Sequence, residues 1–215
     1  HRNLGFGSYR TAWFMAHRIR EAMRPEDFEP SMGSGGGMVE ADETFLGRDP
    51  DAPKSRTPVH NMCKIVALVD RNSGRARSYI VDNISAKTIK PILEENLARE
   101  ARLMTDEAHH YKPLGKGYAK HYSVSHAQDE YVNREDNTIH TQTIEGYFAI
   151  FKRGMRGVYQ HCDKKHLHRY LSEFDFRYSN RAALGIDDTQ RTETAIKATV
   201  GKRLLYQATS GRDAA

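Results

Sequence analysis

The chain of 215 residues is poor in cysteine: Cys63 and Cys162 stand alone, far apart and without a CxxC neighbour. Two isolated thiols cannot complete a zinc tetrad, and they read as reduced cytosolic side chains rather than a disulfide framework. Long apolar runs are missing too. No stretch reaches the roughly 18 apolar residues of a membrane span, and neither a basic n-region nor an apolar signal core opens the sequence. A cytoplasmic protein that keeps no company with membranes is therefore expected. The histidines His109, His110, His126, His140 and His161 lack regular ligand spacing, so they do not compose a zinc site. The glycines of residues 31–37 follow no strand, which sets aside a phosphate-cradling loop and leaves a flexible linker.

What is present reads as a globular α/β chain, with 38% hydrophobic and 28% charged residues. The formal net charge is +5, and its placement matters more than its size. Between Lys152 and Arg181 stand eight basic residues (Lys152, Arg153, Arg156, Lys164, Lys165, Arg169, Arg177 and Arg181) against three acids, so this segment carries the whole excess. A polyanionic partner near it is the natural inference, with a solvated helix face as the plain alternative.

The sequence opens on His1 and runs almost at once into a helix over residues 8–23, capped by Ser8, with Trp13, Ala16, Ile19 and Met23 at helical spacing. It is expected to be a fragment lacking its upstream part. Strands are expected over 38–46, 62–70, 75–82 and 101–105, the last ending at Asp106, and another near 121–124. A crossover helix over 85–97, a short helix around 109–114 and two final helices complete the pattern, which describes a sheet with helices packed on it.

Three acidic positions carry the chemistry. In the strand-like Val39–Thr44, residues Glu40, Asp42 and Thr44 share one face. Three carboxylates in four residues repel one another and disfavour a strand, so a bound cation or an Arg/Lys cluster must neutralise them. Asp106 ends an apolar strand, and the carboxyl edge of such strands is the usual place for a site. Glu145 lies near the start of a helix whose core side is Ile144, Phe148, Phe151 and Met155, with Gln142, Ala149, Lys152 and Arg156 on the neighbouring stripe. Together the three acids offer oxygen ligands of the kind that hard divalent cations prefer.

The segments VEADETFLG, MTDEAHHY and HTQTIEGYFAIFKRGMRGVYQHCDKKHLHRYLSEFDFRYSNR resemble, in this order, the catalytic domain of bacterial insertion-sequence DDE transposases, in particular the ISXO-two-like group. The resemblance runs from about Val39 to about Asn180. It implies an RNase H-like mixed five-stranded sheet flanked by helices. It further implies that Asp42, Asp106 and Glu145 hold two Mg²⁺ (or Mn²⁺) ions, and that Lys152, with Arg153, Arg156, Lys164, Lys165 and Gln142, contacts DNA. Cleavage of transposon ends, transfer of the 3′-end to target DNA and a homo-oligomeric synaptic complex follow from the same likeness. Many relatives read His-Thr-Asn where this chain has His140-Thr141-Gln142. The Asn has been proposed as the third ligand, but a carboxylate binds Mg²⁺ better than an amide, so Glu145 is preferred here over Gln142. The segment GSYRTAWFMAHRIREAM (residues 7–23) resembles the last helix of the helix-turn-helix that precedes this domain in relatives, although simple packing against the catalytic domain accounts for one amphipathic helix equally well. The division expected is thus a remnant over 1–30, a linker over 31–37, the catalytic domain over 38–182 and a polar tail over 183–215.

Three other readings compete. His166-Leu167-His168-Arg169 with Tyr206 has the outline of a metal-free tyrosine recombinase, but Leu167, Tyr170, Leu171, Phe174 and Tyr178 make that segment an ordinary buried helix. An RNase H-like nuclease would use the same metals without joining ends. A decayed, merely DNA-binding remnant has no reason to keep three costly carboxylates. His126 and His140 are further candidates for positioning DNA.

Overall fold

The computed structural model describes residues 1–24, 31–124, 136 and 138–202. Its central strand partner, β2 (Cys63–Asp70), is buried along nearly all its length, which is why its sequence is continuously apolar instead of alternating. At its end Asp70 turns the chain by accepting the backbone N–H groups of Asn72 and Ser73 at 2.8 and 3.1 Å. Gly74, at φ +70°, completes the turn. The returning strand is β3 (Ala76–Val81), antiparallel to β2. On the other side of β2 lies β1 (Met38–Leu46), also antiparallel, with Val39 opposite Asp70 and Leu46 opposite Cys63.

A parallel strand needs a crossover connection, and α2 (Ala86–Asn96), capped by the Ser85 hydroxyl, provides it. It delivers β4 (Arg102–Asp106) parallel to β1, and β5 (Lys120–Val124) parallel to β4, after the short α3 (Lys112–Gly115). The order is β3-β2-β1-β4-β5, with only β2 running against the rest. This is the mixed five-stranded sheet flanked by helices that the sequence leads one to expect of an RNase H-like domain.

Each face of the sheet is covered. Ile65, Ala67 and Val69 of β2 pack under α4 (Gln142–Gly154) and α5 (Lys164–Ser179), through Ile144, Phe148, Phe151, Leu171 and Phe174. Val66 and Leu68, pointing the other way, join Val39, Ala41, Ile89, Leu93, Leu103 and Tyr111 beneath α2. Consequently α4 lies on the side of β1 that carries Glu40, Asp42 and Thr44.

Three expectations are modified. Residues 31–37 are seated in the fold. Met32 is fully buried and bridges to Leu97, and its carbonyl accepts from the Ala98 N–H at 2.9 Å. Gly33 N–H donates to Asp70 Oδ2 at 3.0 Å. Within 183–215, where a polar tail was expected, stands α6 (Asp188–Lys197), begun by a capping box between Asp187 and Gln190. It is mostly polar, with Ile196 exposed, but the chain after it is tied back, since Lys202 Nζ donates to the Ala22 carbonyl at 2.9 Å.

The third change concerns α1 (Tyr9–Ala22), which is capped by Ser8 as expected but rotated from its apolar stripe. Ile19 is half exposed, whereas His17 and Arg20 are buried against α5. The reason is the surface they meet. Arg20 Nε pairs with Glu173 at 2.8 Å, and its guanidinium lies 4.3 Å from the Tyr170 ring and 5.0 Å from that of Tyr159. A buried charge-assisted pair and two ring faces outweigh the exposure of one isoleucine.

Candidate active site

Parallel pairing of β1 with β4 sets Val39 beside Leu103 and Glu40 beside Met104. Carried two residues further, the same register brings Asp42 level with Asp106, on the face that α4 covers. The pairing itself stops at Glu40, so the two strands part as they reach these carboxylates. Asp106 accepts the Ala108 N–H at 3.0 Å, and Asp42 accepts the N–H of Glu43 at 2.7 Å.

Glu40 brings the third acid into place. Its carboxylate is fully buried; one oxygen accepts the Ile144 N–H at 2.7 Å, in the first turn of α4, and the other pairs with Arg71. Thr141, the residue before α4, makes no side-chain cap, so a carboxylate from β1 supplies what the helix N-terminus lacks. Arg71 also donates to the carbonyls of Thr138 and His140 and lies 3.0 Å from His140 Nδ1. Strand, turn and helix start are thus bound to one guanidinium. Glu145, one residue beyond Ile144, accepts from the Thr141 hydroxyl at 3.1 Å.

The electrostatics separate these acids sharply. Glu40 is answered by Arg71. Glu43, on the opposite face of β1, accepts from the Tyr111 hydroxyl at 2.8 Å and has His110 Nε2 at 3.3 Å. Burial still raises its carboxyl, and burial beside Glu43 raises the Tyr111 phenol well above its usual range. Asp42 has no cationic partner among the described residues. Burial first, then the neighbouring charges of Glu43, Asp106 and Glu145, push its carboxyl up to about 7 against the hydrogen bond from Glu43 N–H. Asp42 thus feels the charge of both other acids. Among the described residues, no three His, Cys, Asp or Glu side chains are gathered closely enough to hold one metal ion.

The basic run does not act as one surface. Lys152, half-buried, and the exposed Arg153 stand on α4 beyond Glu145, the exposed Arg156 follows just after its end, and Gln142 is exposed at the helix start. Lys165 is a surface residue, 3.6 Å from Asp163. Lys164, expected to contact DNA, is instead surrounded by carboxylates: Asp49 at 3.0 Å, Asp51 at 3.3 Å and Asp82 at 3.7 Å. It fastens the loop after β1 to the start of α5. Arg169 faces Glu21 of α1 at 3.5 Å. His126 and Tyr206 lie outside the described residues.

Sequence reasoning missed the roles of Glu40 and Arg71. The face shared by Glu40 and Asp42 was visible, and the need for a neutralising cation was argued. Nothing in the spacing said that one acid would receive an arginine and the other would not.

Residues 35–179 match the family model described as the ISXO2-like transposase domain. No curated protein matches the chain. Solved structures similar to it include the catalytic core domain of BIV integrase, with 15% identity over 76% of this chain and 96% of that one at a TM-score of 0.44. Another is the HTLV-2 integrase catalytic core domain in complex with magnesium in its trimeric form, with 12% identity over 66% and 84% at a TM-score of 0.43. Both likenesses are distant.

Proposed function

Because the chain belongs to the family of ISXO2-like transposase domains, and so acts as the catalytic part of a DNA transposase, we propose that Asp42, Asp106 and Glu145 are its catalytic carboxylates. The observation that carries this reading is Asp42: a carboxylate held near neutrality by burial and by the other two acids, with no cation among the described residues to balance it. An all-oxygen donor set with unrelieved negative charge suits a hard divalent ion. Asp42, Asp106 and Glu145 would hold Mg²⁺ or Mn²⁺, two ions in the complete site. Bound there, they supply the positive charge that activates an attacking oxygen and stabilises the leaving one in phosphodiester cleavage and 3′-end transfer.

The chain's own residues do the rest. Asp42 must give up its proton to act as a ligand, and Thr141 orients Glu145 through its hydroxyl. Glu40 and Arg71 position the start of α4 without touching the reacting atoms. Lys152, Arg153 and Arg156 grip the phosphate backbone, one turn or more along the helix from Glu145. Transposon ends and target DNA are the partners, and synapsis by a homo-oligomer in the bacterial cytoplasm is the setting we infer.

The test is joining of a labelled oligonucleotide 3′-end to plasmid, with Mg²⁺ or Mn²⁺ against EDTA, beside an Asp106→Ala protein. Joining that requires both the metal and Asp106 supports the assignment. Cleavage without joining points to a nuclease, and DNA binding with neither reaction to a remnant.

A further inference from the structure

After α4 the chain does not stop in an α-helical turn but continues as a π-turn, Met155–Tyr159, closed by Gln160 at φ +58°. Such insertions are often found at functional sites. Here the π-turn and the facing side of α5 enclose a cavity of about 560 Å³. Its wall includes the partly exposed rings of Tyr159 and Tyr178, and Arg153, Arg177 and Arg181 line it; of these, Arg177 is paired with Glu173 at 3.3 Å, the acid that also accepts the Tyr159 hydroxyl at 2.6 Å. Arg181 lies 4.0 Å over the Tyr178 ring. Two apolar side chains at this opening, Ile150 and Val158, are 51% and 73% exposed.

Position relates the cavity to the candidate active site. Lys152 continues the Glu145 stripe, and Arg153, one residue on, is turned by about 100° toward the cavity. Arg153 thus adjoins both. A strand held on Lys152 and Arg156 passes the mouth of the cavity, and any nucleotide not committed to pairing finds aromatic faces with arginines around them. Stacking on aromatic rings beside arginine is how unpaired bases are bound without sequence preference. The charge argues against the chain's own surface as occupant, since a chain of net charge +5 meets an arginine-lined opening with repulsion.

We propose that this cavity takes an unpaired nucleotide of the DNA strand lying on α4. The inference rests on the DNA-processing reading above and adds a place where a single-stranded end is held.

The experiment is fluorescence anisotropy with the full chain in EDTA, using a labelled duplex with a short unpaired tail and the same duplex made blunt. The tailed duplex is expected to bind tighter by roughly tenfold, the value of about one stacked base. Val158→Glu, which fills the opening with a carboxylate from an exposed position, and Tyr178→Leu, which removes a ring while keeping an apolar side chain, should abolish that advantage and leave blunt binding unchanged. Retained blunt binding also reports that each variant is folded; should Tyr178→Leu not fold, Val158→Glu decides alone. Equal binding of the two duplexes by the unaltered chain overturns the proposal, as does an advantage that survives Val158→Glu or a parallel loss on both duplexes. So does a Val158→Glu protein whose only change is weaker self-association in sedimentation, because the cavity is then a protein interface. Failure of the catalytic reading would appear elsewhere, as joining that persists in Asp106→Ala.

Discussion

Asp42 and Glu43 are neighbours that face opposite sides of one strand, and their surroundings give them different chemistry. Glu43 is held by Tyr111 and His110, while burial first, and then like charges, push the carboxyl of Asp42 up to about 7. A raised folded-state value means that the stability contributed by the protonated acid is fully present below the unfolded value near 4. It is lost as pH rises through about 7. In the absence of metal, Asp42→Asn should therefore raise the melting temperature at pH 8 by a few degrees, for about 1–3 kcal/mol after allowing for solvent screening. Mg²⁺ should stabilise the unaltered protein most at that pH and leave the variant unmoved, which differential scanning fluorimetry reads directly. Destabilisation of the metal-free variant would show that Asp42 is a structural acid. Glu40 answers to a different measurement. Glu40→Gln leaves Arg71 buried beside a neutral group, at a cost of about 3 kcal/mol by analogy with broken buried pairs. Strand joining should fall with it because the first turn of α4 loses its anchor, while DNA affinity stays within about twofold since the phosphate contacts remain. Unchanged joining by a folded Glu40→Gln protein would remove Glu40 from its positioning role.

Among the elements, those with strong periodic or capping marks were legible in the sequence. β2 and α4 were readable because a continuous apolar run and an apolar stripe at Ile144, Phe148, Phe151 and Met155 each allow one interpretation. The orientation of α1 was not. Its apolar stripe favoured Trp13 and Ile19, and only the partner surface on α5 explains why His17 and Arg20 turn inward; no local pattern encodes Glu173 and Tyr170, about 150 residues away. The helix α6 was missed although its capping box is local, since a polar sequence with nothing buried has no stripe to show. Docking of α1 carries a cost that can be measured. Neither ring nitrogen of the buried His17 has a hydrogen-bond partner among the described residues, and its ring lies 4.0 Å from that of Trp13 and 4.9 Å from that of His166. Burial, then Arg20, His166, Arg169 and His168, depress its imidazole to about 4. Proton uptake therefore favours the unfolded chain, and stability present above 6.5 is lost as pH falls toward 4. His17→Phe keeps the ring and drops the unsatisfied nitrogens. It should raise stability at pH 5 by about 1–2 kcal/mol and flatten the acid limb of the curve of melting temperature against pH. An unchanged acid limb would place the sensitivity in other groups.

For the molecule as a whole, the positive excess is divided between exposed side chains on and after α4 and others, such as Lys164, that are paired within the fold. The sequence located the charge in residues 152–181 but could not tell Lys152 from Lys164, because the acids around Lys164 come from two other parts of the chain, the loop that holds Asp49 and Asp51 and the end of β3 at Asp82. Salt dependence separates the two. Lys152→Ala should reduce the slope of log affinity against log salt for duplex DNA by about 1, one phosphate contact fewer. Lys164→Ala should leave the slope alone and lower the melting temperature, having left Asp49 buried without its ammonium. The reverse pattern would exchange their roles.

The parting of β1 from β4 beyond Glu40 has a mechanical consequence. Asp42 and Asp106 stand two residues beyond the last β1–β4 pair, each held from its outer side, Asp42 opposite Ala67 of β2 and Asp106 beside Val124 of β5, so the gap between them follows from how the two strand pairs meet at Glu40. Behind that junction Gly33 presses against Ala101; a methyl added to it would stand 2.5 Å from the Ala101 Cβ. A bulkier residue at Gly33 would act as a wedge driven in behind the junction, altering the span between the two carboxylates without touching either.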